Sequence, residues 1–254
     1  MRYIQSVQNT QVKQWKKLLT KKERDKTNTY IIEGFHLVEE ALKNKDEVLE
    51  IIVQEETQIP PNWDIEGLQV TEVTLEIAKQ LADTETTQGV FAICKKKNVL
   101  LNHVSGKTFL LIDAVQDPGN IGTLIRTADA AGIDAVILGK GSADGYSPKV
   151  LRAAQGSHFH IDLLTGDLAK WIETLHLADV PVYGTALENG VPYLTVEPTA
   201  AFALLVGNEG NGVNKELLSL TKQNLYIPIL GKSESLNVGI AAGILMYYFQ
   251  LQGK

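Results

Sequence analysis

The sequence is poor in cysteine and lacks an apolar run long enough to cross a membrane. Cys94 is the single cysteine of 254 residues, which excludes an internal disulfide, and its place in the apolar run 90–94 predicts a small core residue. The most apolar stretch, 238–249, is shorter than the ~20 residues that a bilayer-spanning helix needs. The first five residues contain no apolar signal core. These absences predict a protein of the reducing cytoplasm without a membrane partner.

The common glycine motifs of nucleotide-binding proteins are also missing. Residues 231–233 (Gly-Lys-Ser) resemble the end of a phosphate-binding P-loop, but Tyr226 stands where that motif requires its first glycine. Gly139 and Gly141 match the start of a dinucleotide fingerprint, whose third glycine is replaced by Asp144. The sequence therefore argues against an NTPase and against a hydride-transfer enzyme.

Charge is distributed unevenly along the chain. The net charge is −6, yet residues 1–26 hold eight basic and two acidic side chains and are positive by 6. A basic arm on an acidic body predicts a local contact with a polyanion such as RNA, although lysines that only solvate a first helix would give the same pattern. The candidate RNA-binding residues are Lys13, Lys16, Lys17, Lys21, Lys22 and Arg24.

Periodicity predicts two different halves. The first is mixed α/β, with helices at 10–22, 37–44 and 73–81 and strands at 30–34, 48–53 and 89–94. A polar stretch then predicts a boundary, with domains at 1–97 and 107–254 joined by a linker at 98–106. The second half alternates strands at 108–114, 135–138, 159–162, 182–185, 202–206 and 224–227 with helices at 121–131, 148–154, 168–177, 215–219 and 236–250. This alternation predicts a parallel sheet with helices on both faces.

Three polar, glycine-rich segments follow predicted strands of the second half, at the edge where ligands bind in open α/β sheets. The first runs from Asp117 to Asp129, and Asn120 is a candidate cap of a helix whose N-terminus suits an anion. Arg126 lies further along that helix, where an arginine is usually a surface residue but can also clamp a phosphate. The second segment, 207–212, places Asn208 and Glu209 among three glycines, which suits either a close ligand or a tight loop.

The third segment leads through Ser235, Leu236 and Asn237 into an apolar final helix, for which Ser235 is a candidate cap. A helix that is apolar nearly all round predicts burial in a core or an oligomer interface. Elsewhere, His158 and His160 would share one face of a predicted strand, but further well-spaced ligands are lacking. The sequence therefore predicts no metal site.

Together, the order and spacing of these segments resemble the three motifs of the SpoU class of RNA ribose 2′-O-methyltransferases, in the SPOUT superfamily, over residues 107–254. The first half resembles the L30e-like substrate-binding domain of the rRNA-methyltransferase branch, through Glu33-Gly34-Phe35-His36 and Thr87-Gln88-Gly89-Val90. The resemblance implies a trefoil-knotted parallel-sheet methyltransferase domain preceded by a smaller α/β domain. It also implies a homodimer with the active site at its interface.

The resemblance further implies site residues and a reaction. Methyl transfer from S-adenosylmethionine to a ribose 2′-hydroxyl of structured RNA, most of all 23S-type rRNA, is expected without a metal. The implied catalytic residues are Asn120, Arg126, Glu209, Ser235 and Asn237. The implied cofactor-binding residues are Thr185, Gly207, Asn208, Gly212, Ile227 and Leu236. A tRNA ribose methyltransferase and a non-catalytic RNA-binding module of the same fold remain alternatives at this point.

Overall fold

The computed structural model describes residues 2–97 and 107–253, which divide into two compact units. The first unit combines the N-terminal part of the chain with the segment Tyr146–Phe159, and the second contains the remainder of the C-terminal part. The predicted linker at 98–106 lies outside the described residues. Among the residues described, none of the helices is long and apolar enough to span a bilayer.

A five-stranded mixed sheet forms the centre of the first unit. Its strands run in the order β1-β4-β3-β5-β2, with β5 antiparallel to both of its neighbours and β4 parallel to both of its own. The strands are β1 (Arg2–Ile4), β2 (Thr29–Glu33), β3 (Val48–Gln54), β4 (Gln69–Val73) and β5 (Val90–Lys95). The helices are α1 (Thr10–Lys17), α2 (Lys21–Thr27), α3 (Phe35–Leu42) and α4 (Leu75–Leu81). The mixed α/β prediction is confirmed, although the sequence pattern missed β1, β4 and α2.

A buried carboxylate joins α1 to this sheet. Glu50, on β3, is 6% exposed and accepts hydrogen bonds from the Trp15 indole at 3.1 Å, from Gln69 at 2.7 Å and from Thr71 at 2.6 Å. Because a buried charge is costly unless hydrogen bonds compensate it, these three donors are what allow an acid at this position. The apolar face of α1, through Val12 and Trp15, packs into the same core.

The segment Tyr146–Phe159 completes the first unit from a distant part of the sequence. It contains α6 (Pro148–Ala154), which coincides with the helix predicted at 148–154, and a 3-10 turn at Ser157–Phe159. The Tyr146 ring packs against Tyr30 at 4.7 Å between centroids, and Arg152 donates to Asp83 at 2.8 Å. The strand predicted at 159–162 is therefore wrong, since the chain forms this turn before the strand β8 (Asp162–Gly166) begins.

The second unit is built on seven parallel strands, in the order β10-β12-β9-β11-β6-β7-β8. The strands are β6 (Thr108–Ile112), β7 (Ala135–Gly139), β8 (Asp162–Gly166), β9 (Val182–Thr185), β10 (Val191–Pro192), β11 (Phe202–Val206) and β12 (Gln223–Tyr226). The helices are α5 (Pro118–Ala131), α7 (Leu168–Leu177), α8 (Lys215–Ser219) and α9 (Val238–Gln252). All residues of β6, β7 and β11 are buried, as expected for central parallel strands. The predicted parallel sheet is confirmed.

The final helix packs along α5 and over the sheet. Gly239 and Gly243 lie against Thr123 and Thr127, so that the two backbones approach closely. Further along, Phe249 contacts the rings of Tyr183 and Phe202 on the strands below. The opposite side of α9 is not covered within the unit: four apolar side chains spaced by three or four residues are more than a third exposed, namely Ile240 (55%), Ile244 (36%), Tyr247 (43%) and Leu251 (67%). We refer to these four residues as the α9 stripe.

Candidate active site

The three glycine-rich segments follow β6, β11 and β12, so they lie at one edge of the parallel sheet. The strands β6 and β11 are direct neighbours, and β9 lies between β11 and β12. Thr185, the last residue of β9, therefore lies at the same edge and donates to the Leu205 carbonyl oxygen at 3.0 Å. Because the carboxyl ends of all these strands point the same way, the fold brings together segments that are far apart in the sequence.

Asp117, not Asn120, caps α5. Its carboxylate accepts a hydrogen bond from the backbone N–H of Asn120 at 2.9 Å, and Pro118 occupies the first helical position. The prediction that Asn120 caps this helix is therefore wrong. Proline at the first position costs the helix no hydrogen bond, which makes Asp117-Pro118 the stronger start signal. The consequence is that the Asn120 side chain is free to make a tertiary contact.

That contact joins the three segments through Asn120. Its side-chain nitrogen donates to Glu209 Oε1 at 2.9 Å, and its side-chain oxygen accepts from Asn237 Nδ2 at 2.9 Å. Asn237 also caps α9, since its oxygen accepts from the Gly239 and Ile240 amides. The prediction that Ser235 caps this helix is therefore wrong. Three of the five predicted catalytic residues form one hydrogen-bonded chain.

The carboxylate of Glu209 lies among donors. Partial burial works against its ionised form, but hydrogen bonds from the Asn120 side chain and from the backbone N–H groups of Glu209, Gln116 and Asp117 outweigh burial and lower its pKa below 4.5. The start of α5 thus already holds a protein carboxylate where the sequence suggested a bound phosphate. With a lowered pKa, Glu209 is an ionised acceptor at neutral pH and a weak base.

The loop 207–212 is shaped by its own hydrogen bonds. The backbone N–H and C=O of Asn208 pair with Gly212, and the Asn208 side chain accepts from the amides of Gly210 and Asn211. Gly212 has a φ of +68°, a conformation that favours glycine. A Cβ on Gly207 would collide with the backbone of Gly212 and Val213. Gly207 and Gly212 are therefore required by the tight turn of this loop.

The remaining cofactor candidates surround this loop edge. Ile227 directly follows β12, and Leu236 is 38% exposed just before Asn237. Between them Leu230 is 98% exposed. The edge therefore presents apolar side chains beside backbone polar groups, a combination typical of small-molecule sites.

Arg126 and Ser235 stand apart from the hydrogen-bonded chain. Arg126 is exposed, and it makes no hydrogen bond or ion pair with any residue in 2–97 or 107–253. It follows Asn120 by six residues, so it lies about 9 Å further along α5 and on a different side of the helix. The Ser235 hydroxyl is exposed and likewise has no hydrogen bond among those residues. Both side chains are available to a bound partner.

The basic arm forms two short helices with an exposed outer side, where the sequence predicted one helix over 10–22. The five predicted lysines are exposed: Lys13, Lys16, Lys17, Lys21 and Lys22. Lys21 contacts Asp25 at 2.5 Å and, together with Lys96, lowers the pKa of that carboxyl to about 2. Arg24, in contrast, is 2% exposed and donates to the Leu18 carbonyl oxygen at 2.7 Å. Its prediction as an RNA contact is wrong, because its guanidinium closes the turn between α1 and α2.

The two histidines considered as metal ligands do not share a strand face. His158 is buried in the 3-10 turn against the Tyr146 ring, whereas His160 contacts Asp129 of α5 at 3.1 Å. No group of three His, Cys, Asp or Glu side chains suited to a metal is found in the part of the chain that the structure describes.

The turn 113–117 between β6 and α5 was not predicted, since the sequence pattern extended the strand to residue 114. Ala114 has a φ of +52°, and its carbonyl oxygen accepts from Asn208 Nδ2 at 2.9 Å. The Asp113 carboxylate accepts from the Asn214 amide at 2.8 Å. The Asp117-Pro118 pair was the signal that could have identified this turn, whereas nothing local in the sequence indicates the strained alanine.

Family models match both parts of the chain. Residues 107–247 match the SpoU rRNA Methylase family, and residues 9–92 match the MRM3-like substrate binding domain. The first range contains the whole hydrogen-bonded chain of Asn120, Glu209 and Asn237. The second contains the basic helices α1 and α2.

Individual relatives match over nearly the full length. The chain is 51% identical over 250 residues to the 23S rRNA (guanosine(2553)-2′-O)-methyltransferase RlmP of Bacillus subtilis (strain 168), covering 98% of this chain and 100% of that protein. It is 32% identical over 235 residues to the 23S rRNA (guanosine-2′-O-)-methyltransferase RlmB of Bordetella pertussis, covering 87% and 96%. The crystal structure of an AdoMet-bound rRNA methyltransferase from Sinorhizobium meliloti superimposes with a TM-score of 0.88 and 31% identity, covering 98% and 97%.

Proposed function

The chain belongs to the SpoU rRNA methylase family, and on that premise we propose that it methylates a ribose 2′-hydroxyl of 23S-type rRNA, with S-adenosylmethionine as the methyl donor. The observation that carries the proposal is the chain of hydrogen bonds Glu209–Asn120–Asn237, which unites the three motif segments at one sheet edge. Full-length similarity to two 23S rRNA guanosine 2′-O-methyltransferases supports rRNA over tRNA as the substrate.

The cofactor is proposed to bind at the edge formed by Thr185, Gly207, Gly212, Ile227 and Leu236. The fit rests on the open space at Gly212, where a Cβ would meet nothing within 4 Å, and on the exposed apolar residues Leu230 and Leu236. The bound S-adenosylmethionine supplies a methyl group on a sulfonium. Asn208 is the exception among the predicted contacts, because each of its polar atoms already has a partner within the loops.

The residues of the chain contribute mainly by positioning. Glu209 is ionised and held by donors, which makes it a poor acceptor for the hydroxyl proton. A guanidinium stays protonated, so Arg126 is suited to hold the phosphate next to the target ribose. The free hydroxyl of Ser235 is available to orient the target hydroxyl or to relay its proton. In-line transfer gains most from such placement of both reactants.

A homodimer is part of the proposal, with the α9 stripe as its interface. The stripe is contiguous on one helix face, and an exposed apolar surface of this kind is typical of an interface between subunits. By helical spacing, Arg126 lies between Thr123, which contacts α9, and Ala130, whose carbonyl oxygen accepts from Tyr247. A partner packed on this face would lie against Arg126, which therefore serves the active site of the partner rather than its own.

Residues 1–97 are proposed as the RNA-binding domain and 107–254 as the methyltransferase domain, joined by 98–106. The exposed lysines of α1 and α2 are the proposed contacts with the RNA backbone. The trefoil knot of the methyltransferase domain and a cytoplasmic location, where rRNA precursors would be reached, belong to the same proposal.

Mass spectrometry of nucleosides from rRNA tests the proposed function. Purified protein is incubated with S-adenosylmethionine and with unmodified 23S rRNA or tRNA, and the 2′-O-methylated nucleosides are mapped. Methylation of one 23S rRNA ribose is expected. Methylation of tRNA alone would favour the tRNA enzyme, and tight RNA binding without methylation would favour a non-catalytic module.

A further inference from the structure

Two neighbouring loops are joined at three points beside the proposed active site. The turn 113–117 leaves β6 and the loop 207–214 leaves β11, its neighbour in the sheet. Asp113 accepts from the Asn214 amide, and Asn208 donates to the Ala114 carbonyl oxygen. The backbone amides of Gln116 and Asp117 then favour the ionised form of the Glu209 carboxylate and help to lower its pKa. The donors around Glu209 thus come largely from the opposite loop.

Asn208 makes the central one of these three contacts. Its side-chain oxygen accepts from Gly210 at 2.9 Å and from Asn211 at 3.1 Å, which leaves its nitrogen as the group that points to the other loop. This nitrogen donates to Ala114 at 2.9 Å. Since the oxygen must face two backbone N–H groups, the orientation of the side-chain amide is fixed by its surroundings.

Ala114 is held in an unfavourable conformation by this arrangement. Its φ of +52° is a left-handed value that is unfavourable for a residue with a Cβ. The hydrogen bond from Asn208 and the flanking Asp113–Asn214 contact hold the turn in this shape. In this shape, the turn brings the backbone amides of Gln116 and Asp117 near the Glu209 carboxylate.

We propose that Asn208 is a positioning residue of the methyl-transfer reaction, which acts through Glu209 by holding the turn 113–117 in place, and not a cofactor ligand. The inference rests on the proposed function, because it assigns Asn208 a role in the same reaction. Loss of the contact to Ala114 frees the turn, withdraws two backbone donors from Glu209 and loosens the chain Glu209–Asn120–Asn237.

The test compares Asn208→Asp with Asn211→Ala. Asn208→Asp keeps the oxygen that accepts from Gly210 and Asn211 but loses the donor to Ala114. Asn211→Ala is the matched control in the same loop, because its exposed side chain makes no hydrogen bond within the described ranges 2–97 and 107–253. Thermal unfolding first shows that both variants fold. Asn208→Ser is made as well, and it replaces Asn208→Asp if that variant does not fold. Serine adds no charge and still accepts from nearby amides, but it is too short to reach Ala114.

Three measurements are made on each protein: kcat for rRNA methylation, the Kd of S-adenosylmethionine, and the pKa of Glu209 from carboxyl-carbon NMR, assigned with Glu209→Gln. We expect Asn208→Asp and Asn208→Ser to lower kcat by roughly 10- to 100-fold and to keep the Kd within about twofold. The pKa of Glu209 is compared in Asn208→Ser, where it should rise, because the new carboxylate of Asn208→Asp would raise it by charge repulsion alone. The control should match the wild type in all three.

A cofactor Kd that weakens as much as kcat falls would overturn the inference and make Asn208 a cofactor ligand. An unchanged Glu209 pKa in the uncharged variant Asn208→Ser would also overturn it. These outcomes are distinct from a failure of the proposed function, in which the wild type itself would leave rRNA unmethylated. The pKa comparison needs no RNA substrate and stays decisive in that case.

Discussion

Asn237 donates to the side-chain oxygen of Asn120 at 2.9 Å, and the direction of this hydrogen bond is set by the backbone of α9. The Asn237 oxygen accepts from the Gly239 amide, so its nitrogen must be the donor toward Asn120. The Asn120 nitrogen is then the only group left to face Glu209, which must accept. The start of the last helix therefore fixes Glu209 as a hydrogen-bond acceptor, an arrangement that favours its ionised form and agrees with its lowered pKa.

Replacement of Arg126 by alanine should abolish turnover while cofactor binding persists. As a phosphate clamp it contributes to placement of the RNA, and lost placement costs on the order of 100-fold or more in kcat/KM. Arg126→Lys keeps the charge but not the two-pronged geometry, so it should recover only part of the activity. Rates and the Kd of S-adenosylmethionine are measured for both variants. Near-normal methylation by Arg126→Ala would refute this role.

The protein should bind S-adenosylmethionine without a metal ion. The site edge offers backbone groups, glycines and apolar side chains rather than a cluster of ligands. Calorimetry with the cofactor before and after treatment with a chelator should give the same enthalpy and Kd. Heat that appears only after a divalent cation is restored would contradict the prediction, and so would the absence of heat under both conditions.

The carboxylate of Glu209 should stabilise the fold in a pH-dependent way. Its folded-state pKa lies below the ordinary 4.5, so its contribution is complete above that value and is lost as the pH falls through the folded-state pKa. Glu209→Gln lacks this ionisation. Thermal unfolding between about pH 3 and 7 should show that the wild type is more stable than Glu209→Gln near neutrality. The difference in stability between the two proteins should shrink as the pH approaches about 3. A stability difference that stays constant over this pH range would argue against a stabilising Glu209 carboxylate.

A charge in the α9 stripe should split the proposed dimer. Ile240→Glu together with Ile244→Glu places two carboxylates in an apolar contact, which is unfavourable when they are buried. Light scattering should report a monomer with greatly reduced methylation. Leu177→Glu is the control, since Leu177 is 84% exposed on α7 and away from α9 in the fold. A fully active monomer, of wild type or variant, would be incompatible with a shared active site.

Removing the unpaired lysines of the first two helices should weaken RNA binding and its salt dependence. Lys13, Lys17 and Lys22 have no side-chain partner in the described chain, whereas Lys21 is paired with Asp25. Their joint replacement by glutamine should reduce the slope of log K against log salt by up to about 1 per lost phosphate contact.

The matched control for this experiment is Lys43→Gln with Lys45→Gln. These two lysines belong to the same unit, but they are paired with Glu40 at 2.6 Å and Asp64 at 2.6 Å. Their loss removes the same kind of side chain without removing a free charge. Equal slopes for the triple variant and the wild type would show that the lysines of α1 and α2 only solvate the surface.

Local patterns predicted most of the second unit because central parallel strands and their helices carry continuous apolar signals. The strands Val182–Thr185 and Phe202–Val206 and the helix Leu168–Leu177 begin and end where the pattern indicated. Predictions failed where two residues competed for one role. Asp117 and Asn237 act as the caps that were assigned to Asn120 and Ser235, because a proline and the geometry of the preceding loop decide which residue lies at the helix end.

Predictions also failed where the outcome depends on distant packing. Arginine is usually a surface residue, yet Arg24 is buried because its guanidinium donates to the Leu18 carbonyl oxygen in the turn between α1 and α2. The strain at Ala114 and the packing of Tyr146–Phe159 with the N-terminal strands leave no trace in short windows of sequence. Such features are fixed by tertiary contacts, which periodicity does not report.

Because Tyr146–Phe159 belongs to the first unit, cleavage between the two halves of the sequence would not release two complete folding units. A single cut between residues 97 and 107 severs the backbone, but the C-terminal fragment still carries Tyr146 against Tyr30 and Arg152 against Asp83. The N-terminal fragment alone would lack the segment Tyr146–Phe159, which belongs to the same compact unit. The two pieces would therefore behave as a complementing pair that folds together, rather than as two products that each stand alone.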